Sequence, residues 1–150
     1  MAQFTFRLAT LLRLREAVRD QRRAELAEAY RVDDLLQNQQ SQADEQLAQL
    51  RLRCRKMTEP GTIQVDPLID AQRYEVVLKA RQGQLKKQRD TVAAEIERRR
   101  EVLNEATREV RVLEKLRDKQ EARHRAEGRR QETKFLDEVA GARAAREETL

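Results

Sequence analysis

The sequence predicts an all-α fold: a long two-helix antiparallel coiled-coil hairpin with an overhanging C-terminal helix. Three observations predict it. Ala, Glu, Lys, Leu and Arg fill 87 of 150 positions while Phe, Tyr and Trp supply five, a helix and coiled-coil composition that cannot cover a sheet or fill a broad core. Strong helix breakers gather in one place, Thr58-Glu59-Pro60-Gly61-Thr62, with further punctuation at Asp66-Pro67. On either side of that cluster apolar residues recur at spacings of three, four and seven.

A single hairpin domain over residues 1–150 follows, with a helix over 4–57, a loop over 58–66 and a helix from 67 to about 145. In the first helix the stripe runs through Leu8, Leu11, Val18, Ala29, Val32, Leu36, Ala43, Leu47, Leu50, Cys54 and Met57. Asp66 suits the cap of the second helix and Pro67 its first position. The second stripe runs through Leu68, Ala71, Tyr74, Leu78, Leu85, Val92, Ile96, Leu103, Ala106, Val110, Leu113 and Leu116. Folding the chain back at residue 62 requires partners whose numbers sum to about 124. The stripes comply: Leu8 meets Leu116, Leu11 meets Leu113, Leu14 meets Val110, Val18 meets Ala106, Ala29 meets Ile96, Val32 meets Val92, Leu47 meets Leu78 and Leu50 meets Tyr74. Arms of about 50 residues, at ~1.5 Å each, would make a rod of roughly 75 Å.

Two features depart from a plain seam. Arg22 falls opposite Leu103 and Arg99 opposite Leu26, where long arginine stems are expected to snorkel to water. Beyond Leu116 the first arm has run out, and residues 117–134 hold no apolar side chain larger than Ala122 and Ala126. This solvated helix carries Gly128 and Gly141, which weaken it, before Phe135, Leu136 and Val139 reappear as a short apolar patch.

Charge and chemistry exclude more than they suggest. Net charge is +5, but the surplus is spread thinly along the chain, and the densest run, Arg98-Arg99-Arg100, is flanked by Glu95, Glu97 and Glu101. A nucleic-acid binder gathers its cations on one face, so no nucleic-acid partner is expected. Cys54 is alone and sits on the seam as a small hydrophobe, and His124 stands among Arg123 and Arg125 with no metal or triad spacing. Gly61, Gly83, Gly128 and Gly141 make neither a phosphate loop nor a dinucleotide fingerprint. The carboxylates alternate with Arg and Lys at helical spacing, as ion-pair partners do. The expectation is a non-enzyme with no catalytic, cofactor-binding or metal site, soluble and cytoplasmic, with only peripheral membrane contact.

Several stretches carry a resemblance. They are Phe4-Thr5-Phe6-Arg7-Leu8, Leu11-Leu12-Arg13-Leu14-Arg15-Glu16, Glu45-Gln46-Leu47, Leu113-Glu114-Lys115-Leu116-Arg117, and the closing Gln131, Lys134, Leu136, Asp137 and Glu138. Together they resemble the FliJ family of flagellar type III export proteins, over nearly the whole chain. The resemblance implies a non-enzymatic part of bacterial flagellum protein export, similar in fold to the central stalk of rotary ATPases and to the YscO family of injectisomes. It implies a monomeric hairpin in the pore of the hexameric flagellar export ATPase FliI, in contact with the export gate protein FlhA and with flagellar substrate chaperones. Such a protein would stand at the cytoplasmic face of the inner membrane at the flagellar base, reaching the membrane only through partners. By the family's pattern the gate contact falls on Gln46, Leu50, Tyr74 and Leu78. The ATPase contact falls on Leu8, Leu11, Arg13, Gln131, Phe135, Asp137 and Glu138. Arg53 and Arg81 depart from the pattern, standing where relatives can carry an aromatic and a small residue. An injectisome stalk of the YscO kind and a generic cytoplasmic coiled-coil adaptor are the alternatives.

Overall fold

The computed structural model describes residues 3–61 and 63–148, which form two helices, α1 (Ala9–Met57) and α2 (Val65–Glu148), joined as a hairpin. Thr62, where the chain is expected to fold back, lies outside the described residues.

Local chemistry sets the helix ends. At the close of α1 the hydroxyl of Thr58 donates to the carbonyls of Cys54 (3.2 Å) and Arg55 (2.9 Å), and its amide donates to Arg55 as well. Arg55 and Lys56 add positive charge to this carbonyl-rich end. Gly61 then takes a φ of 142°, a backbone conformation open to glycine alone at little cost. The second helix begins one residue before Asp66, so Asp66 lies in the first turn rather than at the cap, and Pro67 still falls where no intrahelical amide is needed.

The start of α1 corrects the sequence reading, which begins this helix at residue 4. From Gln3 to Phe6 the chain is non-helical, and the Phe6 carbonyl accepts the amide of Ala9 at 3.2 Å. Had the helix continued upstream, Phe6 would project away from the seam, since the heptad positions before Leu12 are Leu8 and Thr5. Leaving the helix lets Phe6 bury against Leu12 and Val110, with Phe4, Ala9 and Leu113 packed beside them.

Packing divides the chain into two compact units, Met1–Asp20 with Asn104–Leu150, and Gln21–Leu103. The second contains two apolar clusters. Leu47, Leu50, Ala71 and Leu78, flanked by Cys54, form one, and Leu36, Ala43 and Leu85, flanked by Val92, form the other. Burying a leucine such as Leu78 contributes about 1.5–3 kcal/mol. The first unit is held by the Phe6 cluster and by a 2.7 Å ion pair between Arg15 and Glu109.

Within each unit the buried positions of the helices fall on a seven-residue repeat, whose remaining positions are half-buried. In α1 one position of the repeat reads Leu12, Arg19, Leu26, Asp33, Gln40, Leu47, Cys54, and the other reads Arg15, Arg22, Ala29, Leu36, Ala43, Leu50, Met57. In α2 they read Ala71, Leu78, Leu85, Val92, Arg99, Ala106, Leu113, and Leu68, Glu75, Gln82, Arg89, Ile96, Leu103, Val110. The predicted stripes therefore need correction at Leu8, Leu11, Leu14, Val32, Tyr74 and Leu116, all of which are exposed. Leu12 rather than Leu11 or Leu14 faces Val110, and Leu50 packs with Ala71 and Leu78 rather than against Tyr74. A sum rule tolerates an error of one residue, but one residue turns a helical side chain by about 100°.

The outward faces are laced by ion pairs three or four residues apart, among them Arg73 with Asp70, Arg108 with Glu105 and Arg125 with Glu121. Each adds about 0.2–0.5 kcal/mol of helix stability. From Arg129 to Glu138 every side chain of α2 is exposed, so that stretch rests on local helix energetics.

Candidate interaction surfaces

The four residues assigned to a gate contact all fall in the unit spanning residues 21–103, but not in equivalent places. Leu78 is 2% exposed and Leu50 is buried beside it, whereas Gln46 and Tyr74 are on the surface, Tyr74 at 47%. Tyr74 and Gln46 can meet a partner directly. Leu50 and Leu78 pack in the apolar cluster beneath and present no side chain to the surface.

Next to Tyr74, Glu75 bonds Lys79 (3.0 Å) and the opposite helix's Arg51 (3.5 Å). The hydrogen bond from Lys79 is the largest effect and holds its carboxyl below the ordinary range; desolvation, next in size, opposes it, and the charges of Lys79 and Arg51 reinforce it. The tyrosine is thus bordered by a fixed, already paired carboxylate.

The seven residues assigned to an ATPase contact fall in the other unit. Leu8, Leu11 and Arg13 are exposed at the start of the chain, and Gln131, Phe135, Asp137 and Glu138 are exposed on α2. Phe135 and Leu136, each 64% exposed, form an apolar step in an otherwise polar stretch.

Polar residues within the repeat escape the sequence reading. Arg89 reaches across the seam and pairs both carboxylate oxygens of Asp33 (Nε to Oδ1 3.1 Å, Nη2 to Oδ2 3.4 Å), while Nη1 donates to Gln40 Oε1 at 3.2 Å. Gln82 donates across the seam to Asp44. Counting back from Leu47 by sevens gives Gln40 and Asp33, a signal present in the sequence but hidden once apolar partners are sought first.

The arginine layer also differs from expectation. Arg99 does not simply run out to water: its Nε donates to Glu95 at 2.8 Å and its Nη1 to the backbone carbonyl of Glu25. Arg22 bonds the Glu25 carboxylate at 3.0 Å. The neighbouring cations of the basic run are engaged too, Arg98 by Glu95, and Arg100 by Glu97 and by the Tyr30 hydroxyl at 2.7 Å. The bond to Tyr30, foremost, raises the Arg100 guanidinium above its ordinary value.

His124, read from sequence as plain helix surface, lies 5.7 Å from the Phe4 ring, tilted by 43°. The segment before α1 therefore meets α2 beyond Leu116. Pattern could not show this, because Phe4 is outside any helix. Among the described residues no group of three or more His, Cys, Asp or Glu is disposed to hold a metal, and no helix is long and apolar enough to cross a membrane.

No curated protein and no solved structure matches the chain. The family described as Flagellar FliJ protein matches residues 4–149, and the two-helix hairpin with its unbroken repeat accords with that match. The chain therefore belongs to the flagellar FliJ protein family and is related to flagellar protein export.

Proposed function

We propose that this protein is the central stalk of the hexameric flagellar export ATPase FliI, and that it links the ATPase to the export gate protein FlhA and to substrate chaperones. The observation that carries this reading is the family match over residues 4–149 of a chain built as a helical hairpin. The physical build suits the task. A stalk must stay stiff, and a seven-residue repeat without insertions resists local unwinding. Its surface must slide within a ring without sticking, and mixed ion pairs supply polarity of both signs.

In this reading Leu8, Leu11, Arg13, Gln131, Phe135, Asp137 and Glu138 meet the ATPase, and Tyr74 with Gln46 meets the gate above the supporting Leu50 and Leu78. The protein itself is non-catalytic, binds no cofactor, and works at the cytoplasmic face of the inner membrane. The test is to titrate the chain into its cognate ATPase and measure hydrolysis and mass. One chain per hexamer with faster hydrolysis is expected; no association and no stimulation would overturn the proposal.

A further inference from the structure

Over residues 65–83, α2 carries a second apolar face on the side away from the seam. Val65, Ile69, Val76, Ala80 and Gly83 lie along it, with Gln72 as its single polar member, at steps of four and three, and each of the six is exposed. Val65 is 59% and Val76 67% exposed, so the described residues leave them largely uncovered. At 100° per residue these positions lie within about 40° of one line, roughly opposite Ala71, Leu78 and Leu85. The spacing is that of a coiled-coil seam, and at ~1.5 Å per residue it runs roughly 28 Å. One polar residue in such a seam lowers affinity but fixes register, because its amide must meet a hydrogen-bonding group on the other helix. Beyond Gly83 the same line meets Lys87 and Asp90, which end it.

The rim states which helix fits. Arg73 stands on one side of the central turns and Lys79, which also bonds Glu75 at 3.0 Å, on the other, while Lys87 closes the C-terminal end. The two carboxylates at the margin lie at its ends, Asp66 in the first turn of the helix and Asp90 one turn beyond Lys87, and neither flanks the central turns. Arg73 is held only loosely, 3.9 Å from Asp70, so its guanidinium can turn to a partner. In a coiled coil such rim charges choose the partner. A second copy laid antiparallel about Gln72 would bring Arg73 close to Arg73, which repels. Anionic lipid would favour bulky Leu, Phe or Trp on the face and no central amide, where this one has Ala80 and Gly83 after β-branched residues, a composition suited to close approach of a helix.

We propose that residues 65–83 form a docking face for one amphipathic helix of another protein, with aliphatic residues at its seam positions, one Asn or Gln among them, and Glu or Asp along its rims. This is independent of the stalk reading, because the face lies on a different side of α2 from Tyr74.

The experiment uses the full chain and a fluorescent 21-residue designed helix with Leu and Ile at its seam positions, Asn at the central one and Glu at its rims. A version with Lys at the rims serves for comparison. Anisotropy should show micromolar binding of the Glu-rimmed helix, at least tenfold tighter than the Lys-rimmed one. Val76→Glu should weaken binding at least tenfold, and Val77→Glu, also exposed but about 100° off the face, less than twofold. Both variants should keep their far-ultraviolet helicity, since neither side chain is in the seam. Equal binding of the two helices, or full binding by Val76→Glu, would overturn the proposal. So would self-association abolished by Val76→Glu in sedimentation, which assigns the face to a second copy. Binding to phosphatidylserine vesicles that Val76→Glu abolishes would likewise overturn it in favour of a membrane.

Discussion

Removing Arg89 should cost more than removing the aspartate it pairs with. The Arg89 side chain is 34% exposed and that of Asp33 24%, between the solvated pairs that contribute 0.2–1 kcal/mol and the buried ones whose disruption costs 3–5 kcal/mol. Two-point contact strengthens the pair, and partial exposure screens it, so a coupling of about 1–2 kcal/mol is expected. Arg89→Leu strands both Asp33 and Gln40, whereas Asp33→Leu leaves Arg89 its bond to Gln40. The first substitution should therefore destabilise more, and the double variant should regain part of the loss by adding an apolar layer. Urea unfolding followed at 222 nm for the four proteins gives the coupling directly. It should fall as sodium chloride is raised from 50 mM to 0.5 M, because the pair is reached by solvent. A coupling below about 0.3 kcal/mol would refute the argument, as would Asp33→Leu proving the more damaging.

Leu78→Ala should lower stability by about 2–4 kcal/mol, measurable by the same unfolding, because Leu78 is the most buried large side chain in its cluster. Tyr74→Ala should leave helicity and stability nearly unchanged while weakening binding to the gate protein in a pull-down or calorimetric assay; lost helicity would return Tyr74 to a structural role. Gly128→Ala should raise helicity and contribute roughly 0.8–1 kcal/mol, since an added Cβ meets open space there. For Glu75 the folded carboxyl titrates below its unfolded value, so its contribution to stability is present above the unfolded pKa and is lost as pH falls through the folded one. NMR titration should place its midpoint below the ordinary glutamate range, and Lys79→Ala should move it upward.

The sequence carries the hairpin because only one site can break the helix, and because composition leaves no other use for its apolar residues. It carries part of the seam: Ala29, Leu36, Ala43, Leu47, Leu50, Ala71, Leu78, Leu85, Ile96, Ala106 and Val110 are all buried as expected. What it misses has one physical cause. In a two-helix pair each seam residue keeps one flank near water, so Asp33, Gln40, Gln82 and Arg89 can occupy seam positions that a globular core would refuse them. A search for apolar partners then slides to the nearest hydrophobe, choosing Val32 over Asp33 and Leu11 over Leu12. Phe4 and Phe6 are misplaced for a different reason, since their burial depends on leaving the helix, and periodicity is silent about residues that obey no period. Of the candidate surfaces, exposure separates Tyr74 from Leu78, a distinction that spacing alone cannot make.

The Phe6 cluster also bears on synthesis of the chain. Phe6 and Leu12 emerge from the ribosome before the other two clusters, yet Val110, which covers them, is made roughly 100 residues later, a delay of about 5–20 s at 5–20 residues per second. Leu47 and Leu78 are separated by a far shorter stretch and can meet while the rest is still being made. During translation, then, the Phe6 cluster stays open the longest of the three, which makes Phe4 and Phe6 the residues a nascent-chain chaperone would meet.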